Sequence, residues 1–205
     1  MSRRSEAKAV VNTLTSRSGL APDRSKTAML IVDLISDFRF PDAPAVYKAA
    51  LPVARRIARL KQRARAAGVP VIYVNDNYGR WRSDLRQIVQ HCSKATPAGA
   101  QMHSILGPAE DDYCILKPKH SGFYATALDT LLQYIGAEKL IITGVSANQC
   151  VLFTANDAYV RDYQLCIPRD CIASPTSDGT RFSLRYFTAV LGADVRPSAR
   201  VRLRR

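Results

Sequence analysis

The chain has 205 residues, 47% of them apolar, a formal net charge of +13 and five cysteines. The length suits one sizeable α/β domain rather than two, and no apolar run approaches the roughly 18 residues of a membrane span. Residues 1–26 hold +4 of the charge and residues 196–205 hold +5, leaving +4 for the body between them. Without a nucleic-acid-binding motif or a basic stripe interleaved with aromatics, this pattern points to two basic ends and against a specific nucleic-acid partner.

Residues 1–25 read as a basic, loosely ordered arm. Their opening "MSRRSEAKAVVNTL" lacks the apolar block of a secretory signal, and Glu6 with weak amphipathicity counts against a mitochondrial presequence. "TAMLIVDL" (27–34) is a continuous apolar run suited to a central parallel strand buried on both faces. A helix is expected from about Ala45 to Ala67, with Val53, Ile57 and Leu60 on its apolar side. Pro52 would kink it or split off a first turn, and Gly68 closes it. "VPVIYVND" (69–76) is the second strand. A helix follows from Trp81 to about Cys92, and residues 94–111 look irregular. "DYCILKP" (112–118) is the third strand, 125–136 an amphipathic helix stopped by Gly136, and "EKLIITGV" (138–145) the fourth strand. A helix over 148–162, a strand over 163–170, a helix over 176–192 and a short sixth strand at 193–197 complete the domain, assigned to 26–196. Residues 197–205 form a basic C-terminal tail. Strands alternating with helices predict a parallel sheet covered on both faces, a three-layer α/β/α Rossmann-like sandwich.

In such sheets ligands bind beyond the C-terminal ends of the strands. Asp33, Lys117 and Cys150 fall at or near those ends. Together they offer a base, a cation and a nucleophile. Cys150 follows "IITGVSAN", in which Ser146 and Asn148 are helix N-cap types, so its thiol falls in a first helical turn. There the helix dipole favours an anion, and Lys117 would add a full positive charge. The thiolate is the reactive form. Asp33 is placed to take the thiol proton and return it to a departing amine. The five cysteines, Cys92, Cys114, Cys150, Cys166 and Cys171, contain no C-x-x-C pair and are odd in number, which reads as reduced thiols in a cytoplasmic protein.

Four stretches, "LIVDLISDF" (30–38), "YVNDNYGRW" (73–81), "ILKPKHSGFYATALDTLL" (115–132) and "IITGVSANQCVLFTANDAYVRDY" (141–163), resemble the isochorismatase-like cysteine hydrolases, the superfamily of nicotinamidases and N-carbamoyl amide hydrolases. The resemblance implies a six-stranded sheet in the order 3-2-1-4-5-6 and Asp33, Lys117 and Cys150 in the triad positions. It also implies an oxyanion held by the amides of Ser146 and Cys150, a cis Val145–Ser146 peptide, and a homo-oligomer, dimer or tetramer. Phe38 matches a family aromatic that lines the pocket. Trp81, Phe123, Tyr124, Asn148 and His120 are further pocket candidates. Metal-binding nicotinamidases carry Asp-x-His after the second strand; here that stretch reads "NDNYGRW", and His91, His103 and His120 have no mutual ligand spacing. No metal and no cofactor are therefore expected, and a small molecule is the expected substrate. The expected activity is cleavage of a C–N bond in a small amide, N-carbamoyl or related compound through a thioester. Two other readings fit the same residues: an oxidant-responsive thiol protein, or a non-catalytic scaffold whose basic ends contact an acidic partner.

Overall fold

The computed structural model describes residues 23–79 and 84–204. Trp81, the body of the N-terminal arm and the last residue lie outside them. Five parallel strands, β1 (Thr27–Val32), β2 (Val71–Asp76), β3 (Tyr113–Lys117), β4 (Lys139–Val145) and β5 (Gln164–Cys166), run in the spatial order β3-β2-β1-β4-β5. β1 is buried along its whole length and pairs with β2 on one side and β4 on the other, Val32 facing Val74 and Gly144. Its side chains alternate between faces, as a strand's must. Met29 and Ile31 join one core, and Ala28, Leu30 and Val32 the other.

The first core is covered by α1 (Ala43–Ala66), α2 (Leu85–Ala95) and α3 (Pro97–Leu106), through Val53, Ile57, Ile88 and Met102. The second is covered by α4 (Leu128–Ile135), α5 (Cys150–Tyr159) and α6 (Ser177–Ala189), through Leu128, Leu132, Val151 and Phe187. Each fully buried side chain of this kind contributes roughly 1.5–3 kcal/mol of transfer free energy, and the three layers are the means of burying a sheet that is apolar on both faces.

Several sequence expectations are corrected. α1 continues through Pro52, which faces solvent, so the carbonyl that loses its intrahelical partner is open to water. Residues 94–111 are not irregular throughout: Thr96 accepts a hydrogen bond from Gly99 N–H and, with Pro97 behind it, starts α3. α2 runs from Leu85, capped by Asp84; the expected start at Trp81 lies outside the described residues. The expected helix over 125–136 begins only at Leu128, and the fifth strand stops at Cys166, short of Pro168. The sixth strand lies elsewhere. Residues 193–197 contribute one bridge, Asp194 to Cys166, whereas β6 (Ile172–Ala173) pairs with the last two residues of β4. The C-terminal tail packs against the domain. Arg63 donates to the carbonyls of Ser198 and Val201 at 2.8 and 2.9 Å, and Val201 enters the first core. Among the described residues no helix is long and apolar enough to cross a membrane.

Candidate active site

Four neighbouring strands, β3, β2, β1 and β4, end at one edge of the sheet, and each supplies part of the site. At the end of β1 the chain turns out of the sheet with Asp33 at φ +51°. Two strand-to-strand contacts hold it: Asp33 N–H donates to Val74 O at 3.1 Å, and Asp76 N–H donates to Asp33 Oδ1 at 2.7 Å. The buried Asn75 amide then clamps Ile35, accepting from its N–H and donating to its carbonyl, both at 3.0 Å. The Tyr78 hydroxyl donates to the same carbonyl at 2.6 Å.

Lys117 is the last residue of β3, opposite Asp76 of β2. β3 lies two strands from β1, roughly 10 Å away, and only a long side chain spans that gap. Its Nζ reaches Asp33 Oδ2 at 2.9 Å and passes within 3.6 Å of Asp76 Oδ2. It also donates to Lys119 O at 3.1 Å and to Cys150 Sγ at 3.5 Å, with no solvent exposure at all.

Cys150 arrives from β4. Gly144, at φ +121°, lets β4 approach β1 so closely that a Cβ would lie 2.1 Å from Val32 O; no other residue fits there. The Val145–Ser146 peptide is cis. The turn that follows uses three of its amides. Ala147 N–H donates to Ala173 O at 2.7 Å, Asn148 N–H to Ser174 Oγ at 3.2 Å, and Gln149 N–H to Ser146 O at 3.0 Å. β6 and the residue after it thus serve as the turn's anchor. Those of Ser146 and Cys150 have no acceptor among the described residues. Neither Ser146 nor Asn148 caps α5. Gln149 is the N-cap and makes no side-chain bond, while the Asn148 amide oxygen accepts from Ser174 Oγ at 2.8 Å.

The electrostatics correct one sequence expectation. Burial pushes the Cys150 thiol well above its ordinary value, and the Asp33 carboxylate adds to the shift; Lys117 opposes both without cancelling them. Burial likewise raises the Asp33 carboxyl, against the pull of Lys117 and of hydrogen bonds from Cys150 and Asp76. Burial would lower Lys117, but Asp33, Cys150 and Asp76 together outweigh it and hold the ammonium above its usual value. Cys150 is therefore a neutral thiol at rest, beside a firmly charged ammonium. With Asp33 ionised, releasing the thiol proton to water would leave two anions around one cation. Passing it to Asp33 conserves the site's net charge, so the proton affinity of Asp33 relative to Cys150 governs thiolate formation, not the thiol's affinity alone.

Of the remaining candidates, one reaches the sulfur. His120 is exposed, with Nδ1 3.5 Å from Cys150 Sγ and its ring against Phe153. Phe123 lies against Arg161 and Tyr163, beyond the far end of α5 from Cys150, and serves the core instead of lining a pocket. Phe38 stacks edge-on with Tyr47 of α1, centroids 5.0 Å apart, against the first core. Tyr124 is exposed. His91 pairs with Asp37, and His103 sits in the last turn of α3. Sequence reasoning missed the structural parts of Asn75, Asp76, Tyr78 and Ser174. Polar residues at the end of the apolar run "VIYV" were the available signal for the β2 pair.

The Isochorismatase domain family model matches residues 27–199. The chain belongs to the isochorismatase family. The uncharacterized isochorismatase family protein YaaI of Bacillus subtilis is 41% identical over 172 residues, 84% of this chain and 94% of that protein. The ureidoacrylate amidohydrolase RutB of Methylobacterium radiotolerans is 28% identical over 169 residues, 70% of this chain and 66% of its own length. The crystal structure of N-carbamoylsarcosine amidase from Thermoplasma acidophilum superposes with a TM-score of 0.66 at 28% identity, covering 86% of this chain and 99% of that one. As an isochorismatase-family hydrolase, the protein thus carries an acid, an ammonium and a thiol at one sheet edge, on a fold shared with relatives named for amide hydrolysis.

Proposed function

We propose that this protein is a cysteine hydrolase that cleaves a C–N bond of a small amide, N-carbamoyl or related substrate through a thioester on Cys150. The observation that carries the reading is the buried Lys117 ammonium, shared between the Asp33 carboxylate at 2.9 Å and Cys150 Sγ at 3.5 Å. Asp33 takes the thiol proton as the sulfur forms a bond to the substrate carbonyl carbon. The oxygen that becomes anionic is held by the free N–H groups of Ser146 and Cys150, an arrangement typically worth about 3 kcal/mol per donor. Collapse breaks the C–N bond, and Asp33 protonates the departing nitrogen. Water then adds to the thioester, giving a proton to Asp33. The sulfur leaves, takes that proton back, and the acid product departs. Lys117 stays charged throughout and offsets whichever anion is present, carboxylate or thiolate.

This route uses no metal or cofactor. The loop after β2 reads Asp76-Asn77-Tyr78, and its donors are engaged: Asp76 Oδ1 accepts from Tyr78 N–H at 2.6 Å and Asn77 Oδ1 from Gly79 N–H at 2.9 Å. Among the described residues no group of three His, Cys, Asp or Glu side chains is arranged to hold a metal ion. The sole partner the chemistry needs is the small-molecule substrate.

The test is a panel of small primary amides, N-carbamoyl compounds and cyclic imides, with reactions quenched in acid and digested for mass spectrometry. At least one compound is expected to turn over and leave its acyl fragment on the Cys150 peptide. Turnover with the adduct on another residue, or none across the panel, counts against the reading. The pH profile carries a further expectation. kcat/KM reports the free enzyme's base, and Asp33 must be ionised to act. Because burial raises its pKa, activity should fall on acidification while the pH is still above the ordinary aspartate value of about 3.9. An acid limb at or below that value would remove Asp33 from the role of base.

A further inference from the structure

The Cys150 sulfur has three polar neighbours but only one proton to give. Asp33 is the base to which the thiol proton passes in the proposed mechanism, and the sulfur it leaves behind only accepts. Lys117 Nζ, 3.5 Å from the sulfur, is an ammonium and donates only. The third neighbour is His120 Nδ1, also at 3.5 Å. Once that proton has passed to Asp33, this contact is a hydrogen bond only if Nδ1 carries the hydrogen. The ring packs against Phe153, one turn along α5, with centroids 5.3 Å apart, and is exposed to solvent.

We propose that His120 is a further catalytic residue of this site, whose Nδ1–H donates to the Cys150 sulfur and stabilises it as the thiolate. The inference rests on the reading of Cys150 as nucleophile. It supplies what the buried triad lacks. When the proton moves to Asp33, the sulfur becomes an anion that has lost its hydrogen-bond acceptor and gained the need for donors. Lys117 serves it from inside the sheet edge and Nδ1–H from outside. Hydrogen bonds to an ionised group are roughly twice as strong as neutral ones, so this contact strengthens just as the nucleophile forms. The same donor serves the sulfur when it leaves the acyl group during deacylation.

The decisive experiment reads Cys150 alkylation by iodoacetamide at neutral pH, quantified on its own peptide because Cys114 is also partly accessible. It needs no substrate. His120→Phe keeps a ring for Phe153 and removes the donor. His120→Asn places an amide N–H near the Nδ1 position and cannot act as a base. We expect His120→Phe to slow Cys150 alkylation about tenfold, and His120→Asn to remain within about threefold of wild type. With a turned-over amide, kcat should follow the same order. Equal rates in wild type and His120→Phe would overturn the inference. So would equal losses in both variants, which would make His120 a base or a packing residue. Because His120 is exposed, both variants should fold, and matching circular dichroism and unfolding midpoints check this. If wild-type Cys150 itself resists alkylation, it is the nucleophile reading that fails, a result distinct from either of these.

Discussion

Replacing Cys150 with alanine is expected to reduce turnover to the uncatalysed background, and replacing it with serine to lower kcat by about 10³-fold or more. The two variants test different parts of the mechanism. Alanine leaves Asp33, Lys117 and the free amides of Ser146 and Cys150 in place but provides no atom to attack the carbonyl. Serine offers an oxygen near the same point, still beside Lys117. Its proton is far harder to remove than a thiol's, and Asp33, even with its raised affinity for protons, is too weak a base for it. Neither change should cost much stability. The side chain is small, and 9% of the residue is exposed, so a loss of about 1 kcal/mol is the expected scale. The measurement is kcat on whichever panel compound turns over, together with the mass of the quenched enzyme. Wild-type turnover in the alanine variant, or an acyl adduct persisting without the sulfur, would refute the thioester route.

The residues that carry this chemistry were legible because each ends a recognisable strand. "TAMLIV" reads as a buried strand from its unbroken apolar run, which puts Asp33 just past its end; "YCIL" and "LIITGV" do the same for Lys117 and, a short turn later, Cys150. What could not be read is whatever depends on pairing across the fold. The Asn75 clamp on Ile35 and the Asp76 amide on Asp33 join residues 40 and 43 positions apart, and no local pattern announces them. β6 has two residues, too few for a periodicity, yet it anchors the turn before Cys150. The missed α3 is different: Thr96-Pro97 is a helix-start signal that was present in the sequence. The sign of the Cys150 shift was also out of reach. From sequence the helix start and Lys117 both favour a thiolate, whereas the burial that outweighs them is a property of the packed sheet edge.

Lys117→Met is expected to abolish activity and to destabilise the fold by about 3–5 kcal/mol at neutral pH, the usual scale when one partner of a buried ion pair is removed. The lysine is wholly buried and its pKa is raised by Asp33, Cys150 and Asp76, so its charge stabilises the folded state throughout the neutral range. Methionine fills much the same space but leaves Asp33 and Asp76 facing each other without a countercharge. Asp33, already raised by burial, then loses the strongest influence opposing that rise and moves further above its unfolded value. A carboxyl whose folded pKa is raised favours the folded state below the unfolded pKa and loses that advantage as pH climbs through the folded pKa. The stability gap between wild type and Lys117→Met should therefore be small near pH 4 and widen toward pH 8, as read by urea unfolding. Adding Asp33→Asn to the variant removes the stranded charge and should recover most of the lost stability, while activity stays absent because base and cation are both gone. A gap that did not depend on pH would assign the loss to packing, and a double variant no more stable than Lys117→Met would show that the Asp33–Lys117 pair is not the electrostatic centre of the site.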